Sequence, residues 1–521
     1  MKTGAWIGSA SAVASAALLW LGLPGGGGLW PLLPVALVPL LHIFKYDSAS
    51  TRFFWGLAAG FLHFMLQIYW IVIVLGRYGG LEWFFSYPAL VLLCLYMAVY
   101  VALFVAVGGA LYRRCRPGTV LWLLPLLWVG LDWCRAVFFS GFPWMDLGYG
   151  FWQTPLLIQS ADLFGHYFLT FLVLLCNCLV FLFLQKPARC LTFLHLPLVL
   201  ASLLFVVVYG HIRGSGLQAR ISEAETMTIG VVQGNIDQSR KWSPDQQQRT
   251  VDIYLDRSAD LLRRSGKPAL IVWPETALPF FPQRNPLIHS LQRLALQESV
   301  AVLTGSPWFE AQQHGDGVYY YNAAFVVDEQ GEVRSRYFKS HLVPFGEYVP
   351  LKDLLFFLAP LVEAVGDFSP GTIEAPLRAG EAEAGVLICF ESIFPGIARE
   401  WVNTGANLLI NLTNDAWYGR TSAPQQSMAM TVFRAVETRR SLVRAANTGI
   451  SGFVDPLGHV LKSSSLFIDW AASAEVPLFE SVSFHSRYGY LFGPLCALAA
   501  LVMVSVLLLP LPGSGLRDSE R

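Results

Sequence analysis

The sequence predicts a helical membrane bundle joined to one water-soluble domain of helix-covered β-sheet. Three observations carry that prediction. Apolar residues fill 54% of the 521 positions and charged residues only 14%, where soluble chains carry about 25%. Eight stretches are apolar over roughly the 20 residues that cross a bilayer. Between the seventh and eighth, residues 213–485 alternate strand-like and helix-like patterns, as a sheet covered by helices does.

The expected spans are residues 5–23, 29–44, 53–76, 87–112, 118–139, 157–185, 190–210 and 489–510. Their connections set an orientation. With Met1 in the cytoplasm, the inner segments hold ten basic residues, from Lys2 and Lys45 to Arg517 and Arg521. The outer connections hold three: Arg77, Arg135 and Arg487. Basic residues gather on the cytoplasmic side of spanning helices. Residues 1–212 are therefore expected to form seven transmembrane helices and 213–485 a domain outside the cytoplasm. Residues 486–521 would supply an eighth helix and a cytoplasmic tail. The first span also fits a cleaved signal peptide, because Lys2 precedes an apolar run. Its removal would not move the soluble block.

The formal net charge is zero, but unevenly spread. Residues 213–485 hold 23 Lys+Arg against 29 Asp+Glu, a net of −6, and the remainder carries +6. An acidic soluble block argues against a nucleic-acid partner, which needs a concentrated basic face. Seven of the eight cysteines lie in or beside apolar segments, where cysteine acts as a small hydrophobe. Cys389 alone lies in the soluble block, which therefore cannot hold an internal disulfide.

Within that block, Thr228–Gln233 is an apolar run closed by Gly234-Asn235 and reads as a buried strand. Ser243-Pro244 opens a helix to about Arg264, with Val251, Tyr254, Leu255, Leu261 and Leu262 on one face. Ala269–Trp273 and Val300–Ser306 are further strands. Tyr319–Val327 and Val333–Phe338 flank Glu329-Gln-Gly331 as a hairpin. Ala384–Phe390 is another buried strand, followed by a helix from about Phe394. Ala406–Asn411, a helix near Ala423–Arg440, and strands near Leu442–Asn447 and Gly452–Val454 complete the alternation.

Three groups in this block suit acyl transfer: a base, an oxyanion stabiliser and a nucleophile. Glu275 sits at a strand end beside Trp273, where partial loss of water should raise its pKa toward that of a general base. Lys339 follows the hairpin and could hold a developing oxyanion. Glu347 could orient Lys339 or the base, or form a plain ion pair. His341 reads as structural. Cys389 ends a charge-free strand, a position that exposes a nucleophile at a strand-to-helix corner. The N-terminal amides of the next helix should then lower its pKa. Leu351–Pro360 is too apolar for a solvated loop. It reads either as an arm facing the bilayer or as a helix packed on the core.

These residues lie in recognisable stretches: Gln233–Ile236 with Lys241 and Trp242, Trp273–Thr276, Lys339–Glu347, Cys389–Glu391, Asn411–Gly419, and Gly141–Trp144 between membrane spans. On them the chain resembles the carbon–nitrogen hydrolase (nitrilase) superfamily and, within it, its membrane-embedded branch, the apolipoprotein N-acyltransferases. The resemblance implies an αββα nitrilase-like sandwich for the outer domain and a triad of Glu275, Lys339 and Cys389. Trp242, Glu347, Phe390 and Glu391 match positions used near the site. Phe390 stands where several relatives have tyrosine, so a hydroxyl-dependent role there is in doubt. The implied location is the bacterial inner membrane, with the catalytic domain on the periplasmic side.

The implied reaction has two steps. Cys389 takes the sn-1 acyl chain of a phospholipid, phosphatidylethanolamine being expected, as a thioester. The α-amine of a diacylglyceryl-modified N-terminal cysteine on an apolipoprotein then takes it as an amide. No cofactor or metal is expected, since no His-Glu-x-x-His or paired-cysteine motif occurs. Two other readings stay open on sequence: a membrane-tethered amidase acting on a small amide, and a transporter or scaffold with an inactive outer domain. The few charges within the spans, among them Asp132, Arg135 and Asp162, weigh against transport.

Overall fold

The computed structural model describes residues 2–185, 189–239, 241–264, 267–312, 317–348 and 368–508. The Leu351–Pro360 arm lies outside the described residues. So do the end of the eighth span and the tail after Leu508.

Among the described residues, five helices are long and apolar enough to cross a membrane: Trp83–Arg114, Pro117–Ser140, His166–Leu184, His195–Glu223 and Gly489–Leu508. Ala49–Ile68 and Ile71–Arg77 together could make a sixth, bent by 57°. Trp6–Gly22 and Trp30–Lys45 are apolar but shorter. Three expected spans are thus not single helices: 53–76, which is that bent pair, 29–44 and 157–185. The 29–44 run is cut into turns at Trp30–Leu32, Leu33–Ala36, Val38–Leu41 and His42–Lys45. Pro31, Pro34 and Pro39 each open a fresh turn because proline cannot donate to the preceding one. The 157–185 run becomes helical without a break only at His166. Gly165, at φ 68°, ends the short helix Ala161–Phe164 before it. A side chain there would sit 2.9 Å from His485. The next helix runs from Arg189 to Glu223, through the expected 212/213 boundary. Its end packs Leu217 on Leu457 and Phe479 of the soluble block.

The soluble block holds twelve described strands: β1 Thr226–Gln233, β2 Leu270–Val272, β3 Ala301–Ala311, β4 Val318–Val327, β5 Val333–Phe338, β6 Leu377–Ala379, β7 Ala382–Ile388, β8 Leu408–Thr413, β9 Ser441–Ala446, β10 Gly452–Val454, β11 Val460–Ser463 and β12 Trp470–Pro477. They form two six-stranded sheets, β12-β1-β2-β3-β4-β5 and β11-β10-β9-β8-β7-β6. Strands β1, β2 and β3 run parallel, as do β7, β8 and β9. Side-chain alternation explains the layering. Ile229, Val231, Leu270, Val272 and Leu303 face a core shared with Val386, Ile410 and Val443 of the other sheet. The intervening Val232, Ile271, Trp273 and Val302 face outward onto Val251, Tyr254 and Leu261 of the helix Pro244–Arg264. Helix–sheet–sheet–helix layers follow, a nitrilase-like arrangement.

Strand β3 runs five residues beyond the expected Ser306, through Pro307. Proline is tolerated there because β2 pairs only with Ala301–Leu303, so no ladder amide is required on that side. Strands β11 and β12 and the helix Ile288–Glu298 gave no clear sequence signal, yet β12 covers the edge of β1 along its whole length. The helix Ala423–Thr438 is buried on nearly every face, between the second sheet and the bundle. Gln426 clamps it there. Its Nε2 donates to Gln67 Oε1 at 2.8 Å, and its Oε1 accepts from Trp144 Nε1 at 2.9 Å and Trp70 Nε1 at 3.1 Å.

Candidate active site

Glu275, Lys339 and Cys389 each lie just past the carboxyl end of a strand. Glu275 follows β2, Lys339 follows β5, and Cys389 follows β7 of the opposite sheet. Each lies within electrostatic reach of the other two. Side chains at the carboxyl ends of parallel strands converge where the sheets stop, which is where open α/β sheets bind ligands.

The Glu275 loop lies flat on β3. A Cβ on Gly305 would meet the Thr276 nitrogen at 2.6 Å and the Glu275 Cα at 2.9 Å, so only glycine allows that approach. Burial raises the Glu275 pKa; Lys339 opposes it and Glu347 adds to it. Asn322, on β4, donates from one nitrogen to Glu275 Oε1 at 2.8 Å and Glu347 Oε1 at 2.9 Å. Lys241 is wholly buried, and its Nζ donates to the Glu275 carbonyl oxygen at 3.3 Å. Burial lowers its pKa to about 8 against the pull of Glu275.

Lys339 is fixed by its amide, which donates to the Asn322 carbonyl at 2.9 Å. Its Nζ lies 2.8 Å from Glu347 Oε2, which also accepts from the Val343 amide at 2.8 Å. Burial works against the ammonium, but Glu347, Cys389 and Glu275 outweigh it and the pKa is raised. The lysine is therefore a permanent positive charge held out of water.

Cys389 opens the turn Cys389–Ile393 at φ 54°, a left-handed conformation that costs a non-glycine residue about 1–3 kcal/mol. Glu391 holds the turn together. Its Oε2 accepts from the Ile388 amide at 2.7 Å. Its Oε1 accepts from the Tyr337 hydroxyl at 2.7 Å, the Ser340 amide at 2.8 Å, the Ser340 hydroxyl at 3.0 Å and the His341 amide at 3.1 Å. One carboxylate thus ties the Cys389 turn to the loop after Lys339. His341 serves through its amide and its ring, 4.1 Å from that of Phe394. The next helix starts only at Pro395, so its amides do not reach the thiol. The thiol pKa moves opposite to the expectation: burial pushes it up to about 12, Glu275 adds to that, and Lys339 offsets part.

The other expected residues divide. Phe390 is buried, its ring stacked 6.1 Å from Phe142 and edge-on to Phe394 at 5.1 Å. Phe142 in turn stacks on Trp144 at 5.5 Å, so the Gly141–Trp144 stretch forms a wall of the site. Trp242 is 50% exposed on the surface. Its neighbour Lys241 is the residue turned toward Glu275. Sequence reasoning quoted Lys241 without a role and passed over Asn322. The usable signal was a lone amide in the aromatic run Tyr319-Tyr-Tyr-Asn322. Behind Cys389, Thr413 donates to Asp415 at 2.9 Å, and Asp415 pairs at 2.9 Å with the buried Arg444. Among the described residues, no cluster of His, Cys, Asp and Glu could hold a metal ion.

Residues 15–179 match the family model for the apolipoprotein N-acyltransferase N-terminal domain, and residues 228–480 match that for carbon-nitrogen hydrolase. An apolipoprotein N-acyltransferase from Geobacter metallireducens is 41% identical over 507 residues, covering 95% of this chain and 94% of the relative. The chain belongs to the apolipoprotein N-acyltransferase family. Members from Methylococcus capsulatus and Vibrio cholerae are 33% and 31% identical, over 83% and 87% of this chain and 83% and 85% of theirs. Like other apolipoprotein N-acyltransferases by name, it is an acyltransferase, and its nitrilase-like domain carries the site just described. The amidase and transporter readings are not favoured.

Proposed function

We propose that this family member transfers the sn-1 acyl chain of a phospholipid, phosphatidylethanolamine for preference, to the α-amine of the N-terminal diacylglyceryl-cysteine of apolipoproteins. The observation that carries the reading is the meeting of Glu275, Lys339 and Cys389 beside an aromatic wall contributed by the helical bundle. A site with one side contributed by a membrane segment suits a lipid ester better than a small soluble amide.

The electrostatics suggest the order of events. With its pKa near 12, Cys389 rests as a thiol. Glu275 removes that proton as the sulfur bonds to the ester carbonyl carbon. The negative charge passing to the carbonyl oxygen is met by Lys339, which is already charged and needs no reorganisation. Collapse breaks the ester C–O bond, Glu275 returns its proton to the glycerol oxygen, and a lysophospholipid leaves. The acceptor amine then attacks the thioester, gives a proton to Glu275, and the sulfur leaves and regains it. Glu347 and Asn322 keep Lys339 and Glu275 in register, and Glu391 keeps the Cys389 turn in place. Trp242, exposed at the surface, is offered as a contact for incoming substrate.

The charge pattern along the chain supports eight crossings, with residues 213–485 forming a periplasmic catalytic domain on a bacterial inner membrane. The test is direct. The purified protein in detergent, given a fluorescent phospholipid and a diacylated lipopeptide, should release lysolipid and acylate the peptide. With phospholipid alone, the intact mass should rise by one fatty acyl group on Cys389. In Cys389→Ala both signals should disappear, a loss on the order of 10⁴-fold or more. Acylation that persisted in Cys389→Ala would remove the basis of the mechanism.

A further inference from the structure

The chemistry above makes no use of the charged side chains buried where the helical bundle meets the soluble domain. Arg135, near the end of the helix Pro117–Val137, donates to the carbonyl oxygens of Phe142 at 3.0 Å and Trp144 at 3.3 Å. It also pairs with Asp132 at 3.2 Å and with Asp146. Asp146 Oδ2 lies 2.8 Å from His166 Nε2. On the other side of that ring, His166 Nδ1 lies 3.2 Å from Glu437 Oε1, which also accepts from the His166 amide at 3.0 Å. Glu437 Oε2 pairs with Arg434 at 2.9 Å. Arg434 donates to the Ile393 carbonyl at 3.1 Å and the Tyr149 hydroxyl at 3.0 Å. All these side chains are buried.

The two ends of this chain of contacts meet. Ile393 closes the turn that Cys389 opens. Phe390, second in the turn, stacks on Phe142, whose carbonyl Arg135 holds. The contacts leave the turn at Ile393, cross three helices, and return to it at Phe390. Ionisable groups inside a bilayer-embedded bundle are costly and are usually kept where they act. Apolar residues would serve a plain packing interface as well or better. Hydrogen bonds and ion pairs differ from apolar packing in having direction, and direction is what seats a turn.

We propose that this closed circuit is a positioning device that registers the Cys389 turn against the helical frame, so that the thiol meets an ester presented from the membrane. Arg135, Asp146, His166, Glu437 and Arg434 are positioning residues; none touches the reacting atoms. The inference rests on Cys389 being the acyl carrier.

The test uses full-length protein in detergent and single-turnover mass spectrometry of Cys389 acylation by phosphatidylethanolamine. Arg135→Lys and Arg434→Lys keep the charge but cannot reach all their partners at once. Each should slow acylation on the order of tenfold, at an unchanged half-saturating lipid concentration and at a temperature where thermal unfolding shows the variant still fully folded. The double variant should be little slower than the slower single variant, since either opens the same circuit. If a lysine variant fails to give monodisperse protein, His166→Gln takes its place with the same expectation. Single-variant rates within twofold of wild type, losses that multiply in the double variant, or a change confined to half-saturation would each overturn the proposal. A wild-type protein that acylates without a mass increment on Cys389 would instead overturn the acyl-carrier reading, and the two failures are told apart by that measurement.

Discussion

The loop that presents Lys339 and the turn that presents Cys389 are each organised by one buried glutamate, and the two work differently. Glu347 faces a cation: its carboxylate pairs with Lys339 and shares Asn322 with Glu275. Glu391 accepts from neutral donors, namely three backbone amides and two hydroxyls. The first region is set up by charge, and its output is an ammonium of raised pKa. The second is set up by geometry, and its output is a thiol at a left-handed residue, aimed but not ionised. Burial raises the Glu391 pKa, although Lys339 and its donors pull the other way. The lesson is that one residue type, buried in both places, can tune a charge or fix a shape, according to what faces it.

The widest gap between the regions should appear on truncation. Glu391→Ala leaves five donors without their acceptor, at about 1–3 kcal/mol for each that water cannot reach. Thermal unfolding should fall sharply, and Cys389 acylation should be lost. Near-native stability in Glu391→Ala would mean that the turn is held by other means.

Glu347→Gln tests the electrostatic side. Removing one partner of a buried pair costs about 3–5 kcal/mol, and the rate should drop about 10²-fold. The sign of the pH effect follows from the lysine. Its folded pKa is raised, so in wild type the ammonium persists through the alkaline range. Without Glu347, the largest cause of the rise, that pKa falls, and activity should decline at a lower alkaline pH than in wild type. A variant with the wild-type alkaline profile would show that Glu347 does not set the charge.

Glu275 stands between the regions and should separate stability from activity. Its folded pKa is raised, so the folded state binds more protons than the unfolded one. Stability is therefore lost as pH rises from the unfolded value of about 4.3 through the folded value. Glu275→Gln removes that cost. It should abolish acylation yet raise the unfolding midpoint modestly at pH 7, with no gain at pH 3. The smallest effect is expected from Phe390→Tyr. The ring keeps its stacks on Phe142 and Phe394, so acylation should stay within about twofold of wild type. A larger change would mean that the hydroxyl absent from this chain matters.

Part of this was legible without coordinates. The strand Thr226–Gln233, the helix Pro244–Arg264 and the hairpin Val318–Phe338 follow from apolar periodicity and turn residues, which are local signals. Glu275 and Cys389 could be singled out because each ends a charge-free strand. Two of the interrupted spans share a cause. In 29–44 and 157–185 the average apolarity was right, but Pro31, Pro34, Pro39 and Gly165 interrupt the backbone whatever the hydropathy. Strand β12, Trp470-Ala-Ala-Ser-Ala-Glu-Val-Pro477, has weak alternation, and its place comes from pairing with β1, some 240 residues earlier.

By itself the sequence determined which segments avoid water, which alternate, and which residue types could perform acyl transfer, because those properties depend on neighbours a few positions away. Only the tertiary structure decided the partners. Asn322 bridges two carboxylates, Glu391 serves four residues at once, and His166 meets Glu437 across 271 positions. It also decided the sign of the Cys389 shift. A pKa is set by what surrounds a group in space, and periodicity tells which face a side chain takes, not what waits on the other side.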